Sequence, residues 1–192
     1  VHGQKATVAD IHTGDNVAVR FQPGEGNVLT AVGIMLPKPR LAGEIAAVQG
    51  NSIVLTGKDG VRHSATVNQR TRYRAQSYVG TIADLRVGYK ATIGGEQANG
   101  AFVAQDVAFV PAMARGTVTA RSGNSITVKT VQQAELQLAA SAATAVTVRP
   151  RVADNRKGTL ADIAVGTPVN VGYHATETGP APLLWVGVLT GQ

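Results

Sequence analysis

The residues with the clearest chemical potential in this 192-residue chain are basic. Arg70, Arg72 and Arg74 alternate, so on a strand all three would project from one face. Arg149, Arg151, Arg156 and Lys157 occupy the matching region further along. Cationic groups gathered on one face form an anion-binding stripe. Such a stripe would meet acidic polysaccharide, lipid head groups or an acidic protein. Nucleic acid fits least, because single-strand binding on small barrels uses aromatic stacking platforms and only Tyr73 and Tyr78 lie near the Arg cluster. The opposing reading is a solvated face that keeps the protein soluble. The whole chain is basic, with 18 Lys+Arg against 12 Asp+Glu and a net charge of +6.

Other chemistry has little to stand on. The four His residues are His2, His12, His63 and His174, and no two share the close spacing of a zinc site. There is no Cys, which removes thiolate ligands, thiol nucleophiles and disulfides. His12 aligns with Arg86 and Ala164 in the repeats described below, and the expectation for all four His is a solvated surface position. Asp10, Asp84 and Asp162 recur at one repeat position. That suggests acid–base chemistry at first sight, but a residue present in every copy of a structural unit serves the fold, here as a cap. Gly94–Gly100 is Gly-rich but opens no helix, so it reads as a hairpin loop and not as a phosphate cradle. Trp185, the one Trp, is either core or the anchor of a partner surface. No catalytic residue, no metal and no cofactor is predicted.

The elements that must position these residues come from a repeat. Gly-Asn-Ser-Ile occurs at 50–53 and again at 123–126, an offset of 73. A second element reads Thr7-Val-Ala-Asp-Ile, Thr81-Ile-Ala-Asp-Leu and Thr159-Leu-Ala-Asp-Ile, closed by Gly14, Gly88 and Gly166. Its Asp residues are spaced 74 and 78 apart, which implies about five extra residues inside the third copy. Leu36-Pro-Lys-Pro-Arg40 and Val110-Pro-Ala-Met-Ala114 read as connectors, since each Pro disfavours helix in the residue before it. The predicted units are residues 1–40, the second half of a repeat, then complete repeats at 41–113 and 114–192.

Within each copy, apolar residues alternate. Ile45/Ala47 and Ile53/Leu55 flank Gly50-Asn51, as Val118/Ala120 and Ile126/Val128 flank Gly123-Asn124, and each set reads as a tight hairpin. Strands are also predicted around Val17–Phe21, Ala91–Ile93 and Val169–Tyr173, each followed by a turn and a last strand near Val28–Leu36, Phe102–Val110 and Leu184–Leu189. The Thr-φ-Ala-Asp element (φ being Val, Ile or Leu) reads as one short helical turn. Residues 131–143 carry strong helix formers, but Leu136, Leu138 and Ala140 alternate and the reading is strand. The fold expected is all-β: tandem small antiparallel barrels of the OB type, two complete and one N-terminal half.

With the repeat laid out, the pattern Gly-x-Val-x-x-φ-x-Gly-Asn-Ser-Ile-x-φ, then φ-Ala-Asp-φ-x-φ-Gly, then a closing strand, resembles a family of unknown function. Its members are tandem β-rich repeats in exported bacterial proteins. The resemblance implies OB-like barrels and a periplasmic, cell-surface or extracellular location, and it carries no catalytic residues to transfer. The altered segment 131–143 departs from the family's plain Gly-containing hairpin.

Two functions follow as expectations. The first is a non-enzymatic structural or interaction protein of the bacterial envelope or extracellular space. Its partners would be other protein chains, in a homo-oligomer, a filament or a larger membrane-associated complex. The incomplete first copy motivates it: either another chain supplies the missing half, or residue 1 lies within a longer polypeptide. A start at Val1 without Met suits a processed product as well as a fragment. The second is a binding module that holds an anionic ligand on the Arg face. No apolar run reaches the roughly 18 residues a membrane-spanning helix needs.

Overall fold

Strands with apolar residues on one face bury that face only by closing on each other or on a neighbour. The computed structural model describes residues 8–11, 13, 17–24, 28–35, 39–98, 100–151 and 154–189. The chain divides into two compact units, Val1–Pro39 and Arg40–Gln192. In the first, a 3₁₀ turn at Val8–Asp10 precedes a two-stranded antiparallel sheet of β1 (Ala18–Pro23) and β2 (Leu29–Met35).

The second unit holds two seven-stranded sheets built on one plan. The first sheet contains β3 (Arg40–Gln49), β4 (Ser52–Thr56), β5 (Arg62–Thr66), β6 (Arg72–Ala75), β7 (Tyr78–Gly80), β8 (Lys90–Ala98) and β9 (Ala101–Val110). The second contains β10 (Ala112–Ser122), β11 (Ser125–Thr130), β12 (Glu135–Ala139), β13 (Ala145–Arg151), β14 (Asp154–Gly158), β15 (Pro168–Tyr173) and β16 (Ala181–Leu189). In each, five strands form a closed ring: β3-β4-β5-β9-β8 and β10-β11-β12-β16-β15. The barrels stand as expected, with antiparallel neighbours around each ring except where the parallel pairs β5–β9 and β12–β16 close it. A ring of five cannot alternate direction throughout, and one parallel pair must close it. The short hairpins β6–β7 and β13–β14 dock on the same edge, again in parallel, through β6–β9 and β13–β16.

The repeated residues do recognisable local work. Gly50 and Gly123 take φ near +55° (55° and 54°) at the first position of their two-residue hairpins, where a Cβ is disfavoured. Gly43 and Gly116 sit where β3 and β10 run close against their ladder partners β4 and β11. A Cβ there would overlap the carbonyl oxygens of Thr56 and Lys129. Just after, Ala46 and Thr119 bulge out of their ladders, and Gly88 and Gly166 donate their N–H groups back to Ile45 and Val118 carbonyls at 2.9 and 2.8 Å. The 3₁₀ turns at Ile82–Asp84 and Leu160–Asp162 stand where the repeated Thr-φ-Ala-Asp element predicts them.

Each ring encloses its own core. Ile45, Ile53, Leu55, Ile93 and Val107 are fully buried in the first, and Val128, Leu138, Ile163, Val169, Val171, Val186 and Val188 in the second. The ambiguous segment resolves as strand at Glu135–Ala139, with Leu138 fully buried. Gly94–Gly100 is corrected: β8 runs to Ala98, so most of this segment is strand. Gly94 and Gly95 are buried at a bulge, and a Cβ on Gly95 would overlap the Val103 carbonyl. The five extra residues of the third copy fall in the β13–β14 hairpin. Tyr73 pairs Val107 and Gly80 as Val146 pairs Val186 and Gly158, offsets of 73 and then 78.

Candidate functional site

One concave surface gathers several of the chain's cations. It is an open groove of about 1270 Å³ at one end of the first barrel. The start of β3, the β4–β5 turn, the end of β6, the start of β8 and the end of β9 line it. Arg40, Lys58, Arg74 and Lys90 stand around it with His63, over a wall that includes Leu41, Ala91 and Phe109. Two carboxylates belong to the same rim. Asp59 Oδ1 accepts the Val61 N–H at 3.0 Å, which ties it to its own turn. Glu44 stands opposite Lys90 in the β3–β8 ladder. The ion pairs among the described residues are Arg156–Asp162 and His174–Asp84, so Arg40, Lys58 and Arg74 face the groove without a carboxylate within 4 Å.

The predicted Arg stripe is only partly realised. Arg72 and Arg74 are both exposed on β6, opposite buried Tyr73 and Ala75, but only Arg74 lines the groove. Arg70 lies in the turn before β6, held by its N–H to Asn68 Oδ1 at 2.9 Å, so the three do not share one strand face. The sheet register also corrects the match with the third copy. The counterpart of Arg74 is Thr147, and Arg149 and Arg151 belong to the lengthened β13–β14 hairpin. The side chains of Arg149 and Arg151 lie outside the described residues. Lys157 is exposed, and Arg156 is paired with Asp162 at 2.8 Å. Sequence reasoning passed over Arg40, Lys58 and Lys90, because the groove joins positions far apart in the chain. A strand-by-strand comparison of the copies carries the signal: the same places hold Met113, Val131 and Pro168.

A second cluster joins the two barrels. Asp84 Oδ2 accepts the Thr81 backbone N–H at 2.7 Å and its hydroxyl at 3.1 Å. Its Oδ1 accepts from Tyr78 Oη at 3.1 Å and lies 3.5 Å from His174 Nε2. His174 Nδ1 is 3.0 Å from Tyr89 Oη, and the Tyr89 ring stacks on both His174 and Phe109. The tautomer with its proton on Nε2 satisfies all these contacts, Tyr89 donating to Nδ1 and His174 donating to Asp84. Burial alone would raise the Asp84 pKa, but the bonds from Thr81, His174 and Tyr78 outweigh it and hold the carboxyl below its ordinary value. Burial pushes His174 below its ordinary value despite Asp84. The expectation of a solvated His174 is thus corrected, for only 7% of it is exposed. It follows β15, where the chain turns back against the first barrel, a placement no local pattern encodes. His63 is half-buried on the groove, and His2 and His12 lie outside the described residues.

The repeated Asp does cap its turn. In the third copy Asp162 accepts the Thr159 N–H at 2.8 Å, and Arg156 fills the place that Tyr78 holds in the second. The Asp10 side chain lies outside the described residues. Trp185 is core at the junction: with Leu184 it belongs to the first barrel's apolar cluster, although it stands on the second barrel's β16. Its indole lies against Gly172, where a Cβ would overlap the ring, and its Nε1 is buried without a partner. Among the described residues no three His, Asp or Glu side chains converge as a metal site, and no helix is long and apolar enough to cross a membrane. No protein-family model matches the chain, and no curated protein matches it either.

Proposed function

We propose that this protein is a non-enzymatic interaction subunit in which two joined barrels form the body and the β1–β2 hairpin receives strands from another chain. One observation carries the reading. Val19 pairs Ile34 as Ile93 pairs Val107 in the first barrel and Val171 pairs Val186 in the second. The four barrel residues are fully buried, while Val19 and Ile34 are 44% and 43% exposed. Phe21, Leu29, Val32 and Met35 are exposed as well. In each barrel the first three strands cover these positions, whereas among the described residues the hairpin's own sheet has two strands. A lone hairpin is marginally stable in water, and its uncovered apolar face and free edges favour strand addition.

Three strands of a like repeat would cover this face, supplied within a homo-oligomer, a filament or a larger complex. The likeness of the repeat pattern to exported bacterial proteins, with the absence of Cys, supports an envelope or extracellular setting. Hydrogen exchange combined with sedimentation tests the reading. In a dilute, monomeric sample the β1–β2 amides should exchange within seconds to minutes, and they should become protected in the assembled state. Slow exchange of these amides in a strictly monomeric sample would mean the face is already covered, and would overturn the proposal.

A further inference from the structure

The two barrels share one plan, so the same surface can be compared in two settings. The groove of the first barrel is lined by Arg40, Leu41, Arg74, Thr92, Ala108 and Val110, among others. The strand registers put Met113, Ala114, Thr147, Asn170, Gly187 and Leu189 at those six places in the second barrel. These six also line a cavity, but one of only about 280 Å³. Its remaining wall includes Gln76 and Ser77, the turn of the β6–β7 hairpin of the preceding barrel. In the second barrel, then, a hairpin turn from the neighbouring repeat helps wall the surface whose counterpart in the first is an open groove among the described residues.

The two surfaces differ in charge. The turn Gln76-Ser77 is neutral, and it lines its cavity together with Met113, Thr147 and Asn170. The open groove presents Arg40, Arg74, Lys58 and Lys90 instead. Met113, Thr147, Val131 and Pro168 fill the corresponding places in the other barrel, so the fold does not require a cation at any of them. Among the described residues none of the four lies within 4 Å of a carboxylate, although Glu44 and Asp59 stand on the same rim.

We infer that the groove of the first barrel is the seat of an acidic β-hairpin turn belonging to a partner protein chain. Two observations argue for this occupant: a hairpin turn lines the equivalent surface of the second barrel, and the open groove is basic. The turn's carboxylates meet Arg40, Lys58 and Arg74, while its backbone lies over Leu41 and Phe109.

The test uses the full chain and two dye-labelled cyclic peptides read by fluorescence anisotropy. One carries the sequence of residues 70–82, and the other carries it with Arg72→Glu, Arg74→Glu, Gln76→Asp and Ser77→Asp. The acidic hairpin should bind and the parent should not. Binding should weaken steeply with salt, and it should fall about tenfold or more in the triple variant Arg40→Met, Lys58→Val, Arg74→Thr. Those are residues the second barrel accepts, so the variant's unfolding midpoint should hold. Should the variant unfold, slowed amide exchange at Arg40–Glu44 on adding the peptide to the unaltered chain decides the matter. Absence of binding, equal binding by the triple variant, or equal binding by a linear scrambled peptide of the same charge would each overturn the inference. The groove test and the β1–β2 exchange test read different segments, so either can fail without the other.

Discussion

Gly43 and Gly116 show how a single atom decides how closely two paired strands approach. A Cβ on either would overlap a carbonyl oxygen of the facing strand, a backbone atom that cannot rotate away. Gly43→Ala should therefore cost about 1–3 kcal/mol, as overpacking does. Gly187 is the control, because a Cβ there would come no closer than 3.8 Å to any neighbour, the Asn170 carbonyl. Thermal unfolding of the two variants checks this, with a midpoint several degrees lower for Gly43→Ala and nearly unchanged for Gly187→Ala. Equal midpoints would show that β3 shifts to absorb the methyl.

The 3₁₀ turn is the smallest element that does two jobs. Asp162 caps its turn and pairs with Arg156, whereas Asp84 caps its turn and also faces His174 across the junction. The Tyr78-to-Arg156 exchange distinguishes a face that receives a neighbour from one closed by a local ion pair. This gives the junction a pH dependence. The folded-state pKa of His174 lies below its unfolded value of 6.5 because burial disfavours the cation. The unfolded chain therefore binds more protons as pH falls through about 6.5, and stability falls with it. Asp84, with its pKa held below 3.8, adds stability that is lost only in stronger acid, as pH drops through its folded value. Arg86 opposes the His174 cation and Asp84 favours it. Unfolding midpoints measured from pH 8 to 5 should decline, and His174→Gln should flatten the decline above pH 5. A His174→Gln curve parallel to the parent would place the titrating group elsewhere.

For the Arg40–Gln192 unit as a whole, the barrels share side chains. Leu184 and Trp185 leave the sheet of one to join the core of the other. Truncating a buried Leu typically costs 2–5 kcal/mol, and here the loss falls on the contact between barrels as well as within one. Calorimetry of the parent should give one cooperative transition, and Leu184→Ala should split it into two. A single transition in the variant would show that the barrels are coupled through the β9–β10 connection, not through these side chains.

Much of this molecule was written in local pattern. Gly50-Asn51 and Gly123-Asn124 encode hairpins through positive φ, alternation encodes the ring strands, and Thr-φ-Ala-Asp encodes the capped turn, because each depends on residues within a few positions. The 73-residue offset then disclosed two copies of one plan. What local pattern could not contain is which edge meets which. The parallel closure of β5 on β9, the attachment of β6–β7, the burial of His174 and the joining of Arg40, Lys58, Arg74 and Lys90 around one groove all bring together residues distant in the chain. Ring closure chooses between the two cyclic orders the hairpins leave open, pairing β5 with β9 and β3 with β8, and the packing of one barrel on the other places His174.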